Sequence, residues 1–442
     1  MTLPIDDDAP ARRPASGGTD PLAVFRQAGL PRWALVRHEM DRTEVEDVDA
    51  AVEAAIATVA DGLPPAGRAC VAVGSRGIDR IAEVTRAAVT ALRARGLDVF
   101  AVPAMGSHGG ATAEGQLAVL ASLGIREDTV GCEIRSSMDT VRIGEVGEVP
   151  VFMDRHAASD ADVVIPINRV KAHTDFSGPI ESGLLKMIAI GLGKQHGADI
   201  FHGEGFAVFP ELIPAVAAVA LARVPIPFGL ALLENGYARL RRIEAVPAAA
   251  MVEREPALLK EANEHLARLP VETLDVLVLD RIGKDVSGLG MDSNVVGRYY
   301  LGPTGRPPAI QRIVVRDLTD ATEGNAVGIG MADVVLRRAV ERMDPARTYM
   351  NSITAKTPEG ARVALTVDTD REALDIALAC CVKVRAESAR ILRVPDTKHL
   401  EWLYASEPLL RELVDGGRCV LAGPVTPIGF DADGRLSDEL PT

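Results

Sequence analysis

A chain of 442 residues is about two to three times the size of one ordinary domain, so two separately packed domains are expected. Hydrophobic residues make up 47% and charged residues 25%, but aromatics only 4%; the core must be built from Ala, Val, Leu and Ile, which suits buried parallel strands covered by helices. The net charge of −14, with no run of Lys or Arg, excludes a basic nucleic-acid footprint, and an anionic ligand would need a local positive site.

Residues 1–20 are acidic, rich in Pro and Gly and without an apolar run, and read as a disordered tail that lacks a secretory core segment. The longest apolar stretch, Ala215 to Leu221, is too short to span a bilayer. A cytoplasmic protein without membrane attachment is therefore expected. The five cysteines, Cys70, Cys132, Cys380, Cys381 and Cys419, are odd in number and form no Cys-x-x-Cys pair. They read as small buried hydrophobes in a reducing compartment.

From Arg68 to Gly74 an apolar run ending in Gly predicts a strand. Ile78, Ile81, Ala82, Val89 and Leu92 recur at helical spacing, and Asp98 to Val102 is a second strand, so the segment is a βαβ unit. A helix follows the N-cap candidate Thr112. Asp162 to Ile167 predicts a further buried strand, and Ala207 to Ala222 a helix broken by Pro210 and Pro214. The charged amphipathic helix Ala248 to Leu269, ended by Pro270, closes a first domain over 21–269. In the second domain, 270–442, strands are predicted at Asp275–Leu279, Gln311–Val315, Val363–Val367 and Arg390–Val394, with helices at Met331–Met343 and Arg371–Val382. The fold class is α/β: two domains facing each other across a cleft, with largely parallel sheets and flanking helices.

Ligands of such sheets bind at the carboxyl ends of the strands. That rule selects the segments 74–77, 103–112, 168–202 and 281–292, all dense in Gly, Lys, Arg, His and Asp. His108 stands in a glycine-rich turn, Met105 to Gly110, that is neither a phosphate-binding Walker loop nor the usual dinucleotide fingerprint. Between Asn168 and His202 lie Lys171, His173, Lys186, Lys194, His196 and His202. Lys186 is set among Leu184, Leu185, Met187 and Ile188; such surroundings disfavour the ammonium form and make a neutral amine available, although a snorkelling lysine fits equally. His196 and His202 are six apart, unlike a helical zinc pair, and no carboxylate cluster accompanies them, which leaves a single-histidine metal contact open. Lys284, in Arg281-Ile282-Gly283-Lys284-Asp285, is an anion-contact candidate from the second domain.

As a set these residues resemble the nickel-dependent lactate racemase family. The likeness covers most of Arg68 to Asp285 and rests on Arg76 in the first turn, His108 in the glycine-rich loop, His173 before Ser177-Gly178 and Lys186, and His202 sixteen residues beyond that lysine. The resemblance implies a nickel-pincer nucleotide cofactor, with Lys186 as its covalent tether and His202 as the nickel ligand. It implies His108 and His173 as the two acid–base residues, and Arg76 and Lys284 as contacts to substrate carboxylate or cofactor phosphate. The implied activity is racemisation or epimerisation of a 2-hydroxycarboxylic acid by reversible hydride transfer. The step from His173 to Lys186 is slightly longer than the family spacing, which keeps Lys171 and Lys194 as alternative tethers. Where the family often has an acid before the arginine, this chain has Val73-Gly74-Ser75.

Two other classes compete: a lysine Schiff-base enzyme built on Lys186, and a non-catalytic nickel-cofactor carrier or sensor. The polar crowd of Lys284, Asp285, Ser287, Asp292, Asn294 and Arg298 points to a substrate larger or more polar than lactate. A small-molecule acid is the expected partner, in a possible homo-oligomer.

Overall fold

The computed structural model describes residues 22–75, 77–174, 176–300 and 302–441. The expected tail at 1–20 and Arg76 lie outside them. The first unit is built on a six-stranded sheet in the order Glu133–Ile134, Leu97–Pro103, Gly67–Val73, Val163–Arg169, Phe228–Glu234, Leu240–Pro247. All neighbours pair in parallel except the last two strands. Alternate residues feed two cores: Cys70, Ala72, Phe100 and Val102 on one face, Ala69, Val71, Val99 and Ala101 on the other. Burial on both faces explains why these strands read as continuous apolar runs.

The second sheet has nine strands and runs Leu365–Val367, Val334–Leu336, Ala309–Val315, Thr273–Leu279, Ile391–Val394, Trp402–Ser406, Arg32–His38, Cys419–Leu421, with Thr426–Pro427 paired to Arg32–His38. Its first five strands are parallel and the remainder antiparallel. The α/β class and the mostly parallel sheets follow the sequence reading. The chain start does not keep to the 21–269 unit: Arg32–His38 inserts between Trp402–Ser406 and Cys419–Leu421, with Trp33, Ala34 and Val36 fully buried. The second unit is thus made of two separated stretches of chain.

Two elements differ from expectation. Pro214 does not break its helix, which runs Phe209–Arg223 with Pro210 in its first turn; Phe209, Ile213, Val216, Ala217 and Ala220 bury its inner face, outweighing one missing N–H bond. With the preceding turn, Phe206–Arg223 is long and apolar enough to cross a membrane by length and composition, longer than the apolar stretch seen in the sequence. The expected helix Met331–Met343 is instead the strand Val334–Leu336 followed by the helix Arg337–Glu341. Val334-Val335-Leu336 is buried on both sides between two parallel neighbours, and so short an apolar run has no period to distinguish strand from helix. All five cysteines are free thiols.

Candidate active site

Three strands of the first sheet end at one place. After Gly67–Val73 comes Gly74, where an added Cβ would lie 3.2 Å from Met187 Cε and 3.4 Å from Asn168 Oδ1. After Leu97–Pro103 the chain turns through Gly106, whose N–H donates to Gly191 O at 3.0 Å. After Val163–Arg169, Asn168 donates to Gly183 O at 2.7 Å and closes the loop that carries His173. The helical stretch that follows starts at Leu184–Lys186, widens into a π turn over Met187–Gly191, and resumes as Lys194–Gly203. The expected long loop 168–202 is therefore a short loop followed by a kinked helix bearing Lys186 and His202. The π turn follows directly on Lys186, a kind of irregularity often found at functional sites.

His173, Lys186 and His202 gather around three phenylalanines. Phe206 and Phe209 have ring centroids 4.9 Å apart, and Phe176 and Phe209 5.4 Å. The His173 ring stacks on Phe176 at 4.4 Å, and Lys186 Nζ stands 5.7 Å over the same ring. His202 meets Phe206 edge-on at 5.6 Å and lies 5.5 Å from Phe209. Burial lowers the pKa of His202, the nearby Lys186 ammonium lowers it further, and Asp199 opposes them. Its imidazole is thereby held in the neutral form that can ligate a metal. His196 points elsewhere, edge-on to Phe152 at 4.3 Å.

The His173 loop is fixed from two sides. Glu181 accepts from the backbone N–H groups of His173 at 2.6 Å and Gly178 at 3.0 Å. From the second unit, Asn294 donates to His173 O at 3.0 Å, Ser293 donates to Thr174 O at 2.7 Å, and Asp292 pairs with Lys171 at 2.7 Å. His108 is exposed on its turn, and its Nδ1 lies 2.5 Å from Ser75 Oγ. Lys284 Nζ donates to Gly288 O at 2.7 Å within its own loop.

Two of the candidate tethers pair with buried acids. Lys194 is fully buried, donates to Pro103 O at 2.5 Å and Gln116 Oε1 at 3.1 Å, and lies 3.0 Å from the buried Asp154. Lys171 holds Asp292. Lys186 is the lysine that adjoins the aromatic cluster. The second-domain polar crowd is also largely satisfied internally: Asp285 by Thr319, Asn294 by His173 and Asp292, and Arg298 by Asp333 and three backbone carbonyls. Of that crowd, Ser287 keeps a buried hydroxyl with no hydrogen-bond partner. The inference of a larger or more polar substrate from those side chains therefore loses its basis.

The sequence reading missed Glu255. It lies on the helix Met251–His265, is 1% exposed, and accepts from Leu185 N at 3.0 Å, beside Lys186. Burial pushes its carboxyl up to about 7, against the backbone bonds from Leu185 and Leu184. Gly183 makes room for it, since a Cβ there would come within 2.4 Å of Glu255 Oε1. Arg254-Glu255-Pro256, read as part of a charged amphipathic helix, carries no signal for this role.

No family model and no curated protein matches the sequence. A protein of known crystal structure from Thermotoga maritima is similar in fold over 80% of this chain and 97% of its own, with a TM-score of 0.50 and 14% identity. The lactate racemase apoprotein of Thermoanaerobacterium thermosaccharolyticum is similar over 85% of this chain and 95% of its own, with a TM-score of 0.46 and 12% identity. At such identities the first likeness is one of fold, and neither assigns an activity to this chain.

Proposed function

We propose that this chain is an isomerase, a racemase or epimerase of a 2-hydroxycarboxylic acid that works with a nickel-pincer nucleotide. The observation that carries the reading is the meeting of His173, Lys186 and His202 around Phe176, Phe206 and Phe209. The donor set fits the cofactor. Among the described residues no three His, Cys, Asp or Glu side chains are grouped to hold a metal. A nickel centre here would take one ligand from the protein, the neutral imidazole of His202, and its other donors from the organic part. Lys186, close enough to perturb His202, is the residue for the covalent tether.

When bound, the cofactor would supply the hydride acceptor for C2 of the substrate. The chain's own share is acid–base chemistry at the hydroxyl oxygen. His173 is fixed by Phe176 on its ring and by Glu181 and Asn294 on its backbone, and takes or returns that proton for one enantiomer. His108, whose Nδ1 meets Ser75 Oγ, does the same for the mirror image. The three phenylalanines limit water at the planar keto acid. Arg76 and Lys284 are assigned to the substrate carboxylate or the cofactor phosphate. The test is racemisation of C2-deuterated lactate and larger 2-hydroxy acids by cofactor-loaded enzyme. Retention of deuterium at C2 in the product supports the reading; rapid exchange with solvent contradicts it.

A further inference from the structure

The second unit reaches the His173 loop through three consecutive side chains. Asp292 Oδ2 pairs with Lys171 Nζ at 2.7 Å, Ser293 Oγ donates to Thr174 O at 2.7 Å, and Asn294 Nδ2 donates to His173 O at 3.0 Å. Lys171, His173 and Thr174 are thus all gripped from across the boundary between the units. His173 belongs to no helix or strand, so the carbonyls on this loop need partners from outside a ladder, and side chains of the second unit supply them.

The triplet is held stiffly by its own unit. Asp292 and Ser293 are buried, and Met291, Val295 and Val296 beside them pack into the second unit's core. Asp292 caps the short helix Ser293–Val296: its Oδ1 accepts from Asn294 N at 2.9 Å, and its own N–H donates to Thr397 Oγ1 at 2.9 Å. The same Oδ1 accepts from Asn294 Nδ2 at 3.1 Å, so one carboxylate orients the amide that bonds His173 O and, through Oδ2, holds Lys171. Burial opposes ionisation of Asp292, but Lys171 and the bonds from Asn294 outweigh it and keep the carboxyl below its usual range. The grip is therefore charged and intact at neutral pH.

We infer that Asp292, Ser293 and Asn294 are positioning residues for His173, so that the second unit sets where this imidazole of the first unit stands. Glu181 and Phe176 fix the loop from the first unit, and the triplet supplies the other side. Loss of one of its bonds frees a carbonyl of the loop and lets the His173 ring leave Phe176. The proton transfer that this placement serves rests on the isomerase reading; the placement itself does not.

The test uses the purified full chain without cofactor, with its eight histidines labelled at a ring carbon and the His173 signal assigned with His173→Gln. Stacked on Phe176 at 4.4 Å, His173 should give a signal shifted by the neighbouring ring current. Asn294→Ala and Ser293→Ala should each move that signal toward its unstacked position. Each should also make modification of His173 by diethyl pyrocarbonate, mapped by mass spectrometry, about tenfold faster, the equivalent of one hydrogen bond. His156 and His399, whose rings meet Asp160 and Asp396, should keep their signals and rates. Ser293→Ala removes a single oxygen and decides the matter should Asn294→Ala not fold. An unchanged His173 signal and rate in the variants, or equal changes at His156 and His399, overturns the inference. Absence of nickel and of a covalent adduct from protein made with the cofactor would instead sink the isomerase reading and leave these signals as predicted.

Discussion

Lys194 Nζ lies 3.0 Å from Asp154 Oδ2, and both side chains are wholly buried. This pair ties the start of the helix Lys194–Gly203, which carries His202, to the hairpin strand Val149–Asp154. Removing either partner leaves a buried charge without compensation, which costs about 3–5 kcal/mol. Lys194→Met and Asp154→Ala should each lower the midpoint of chemical denaturation by an amount in that range, whereas Lys186→Ala should cost far less. A Lys194→Met protein as stable as wild type would show that the pair does not hold the helix.

The contact between Ser75 Oγ and His108 Nδ1 orients the His108 ring. Ser75→Ala should leave the fold intact and lower turnover of a 2-hydroxy acid by about tenfold, as one orienting hydrogen bond is worth roughly 1–1.5 kcal/mol. The check is kcat and KM of cofactor-loaded protein; an unchanged kcat would remove His108 from the reaction.

Glu255 makes stability depend on pH in a defined direction. Its carboxyl titrates at about 7 when folded and near its ordinary value of 4.5 when unfolded. Between those values the folded state holds the extra proton, so stability falls as pH rises and levels off above about 7. Glu255→Gln should remove up to one proton from the slope of stability against pH in that window. Denaturation midpoints for both proteins at intervals from pH 4.5 to 8 check it; parallel curves would show that Glu255 is not the source.

Phe209 is fully buried and touches the rings of Phe176, Phe201, Phe206 and His202. Phe209→Ala should cost about 3–5 kcal/mol through the cavity it leaves. Phe209→Leu should cost less while still loosening His202. Equal nickel retention by wild type and Phe209→Leu under chelator challenge would show that the cluster does not position the ligand.

Much of the architecture was legible because doubly buried parallel strands leave continuous apolar runs: Gly67–Val73, Leu97–Pro103, Val163–Arg169 and Thr273–Leu279 each fall within two residues of the expected strand. The N-cap at Thr112 was equally clear, and its hydroxyl accepts from Gly115 N. What was hidden depends on distant partners. Arg32–His38 looks like any strand, and only its pairing with Trp402–Ser406 assigns it to the second sheet. The strand-end rule selected the segment that carries His173, Lys186 and His202, but it did not encode the kinked helix that bears the last two, nor the contacts of Glu181, Glu255 and the phenylalanines around them. The polar loop of the second unit misled for the same reason: its side chains find partners within the protein rather than in a substrate.

The central claim is that Lys186 tethers and His202 ligates one nickel-bearing cofactor. The most direct measurement is intact mass together with nickel stoichiometry, for wild type, Lys186→Ala and His202→Ala, each produced in cells that synthesise the pincer nucleotide. The account predicts a covalent mass increase and close to one nickel per chain in the wild type, no adduct in Lys186→Ala, and an adduct largely stripped of nickel in His202→Ala. An unmodified wild-type mass without nickel, or nickel content unchanged in His202→Ala, would contradict it.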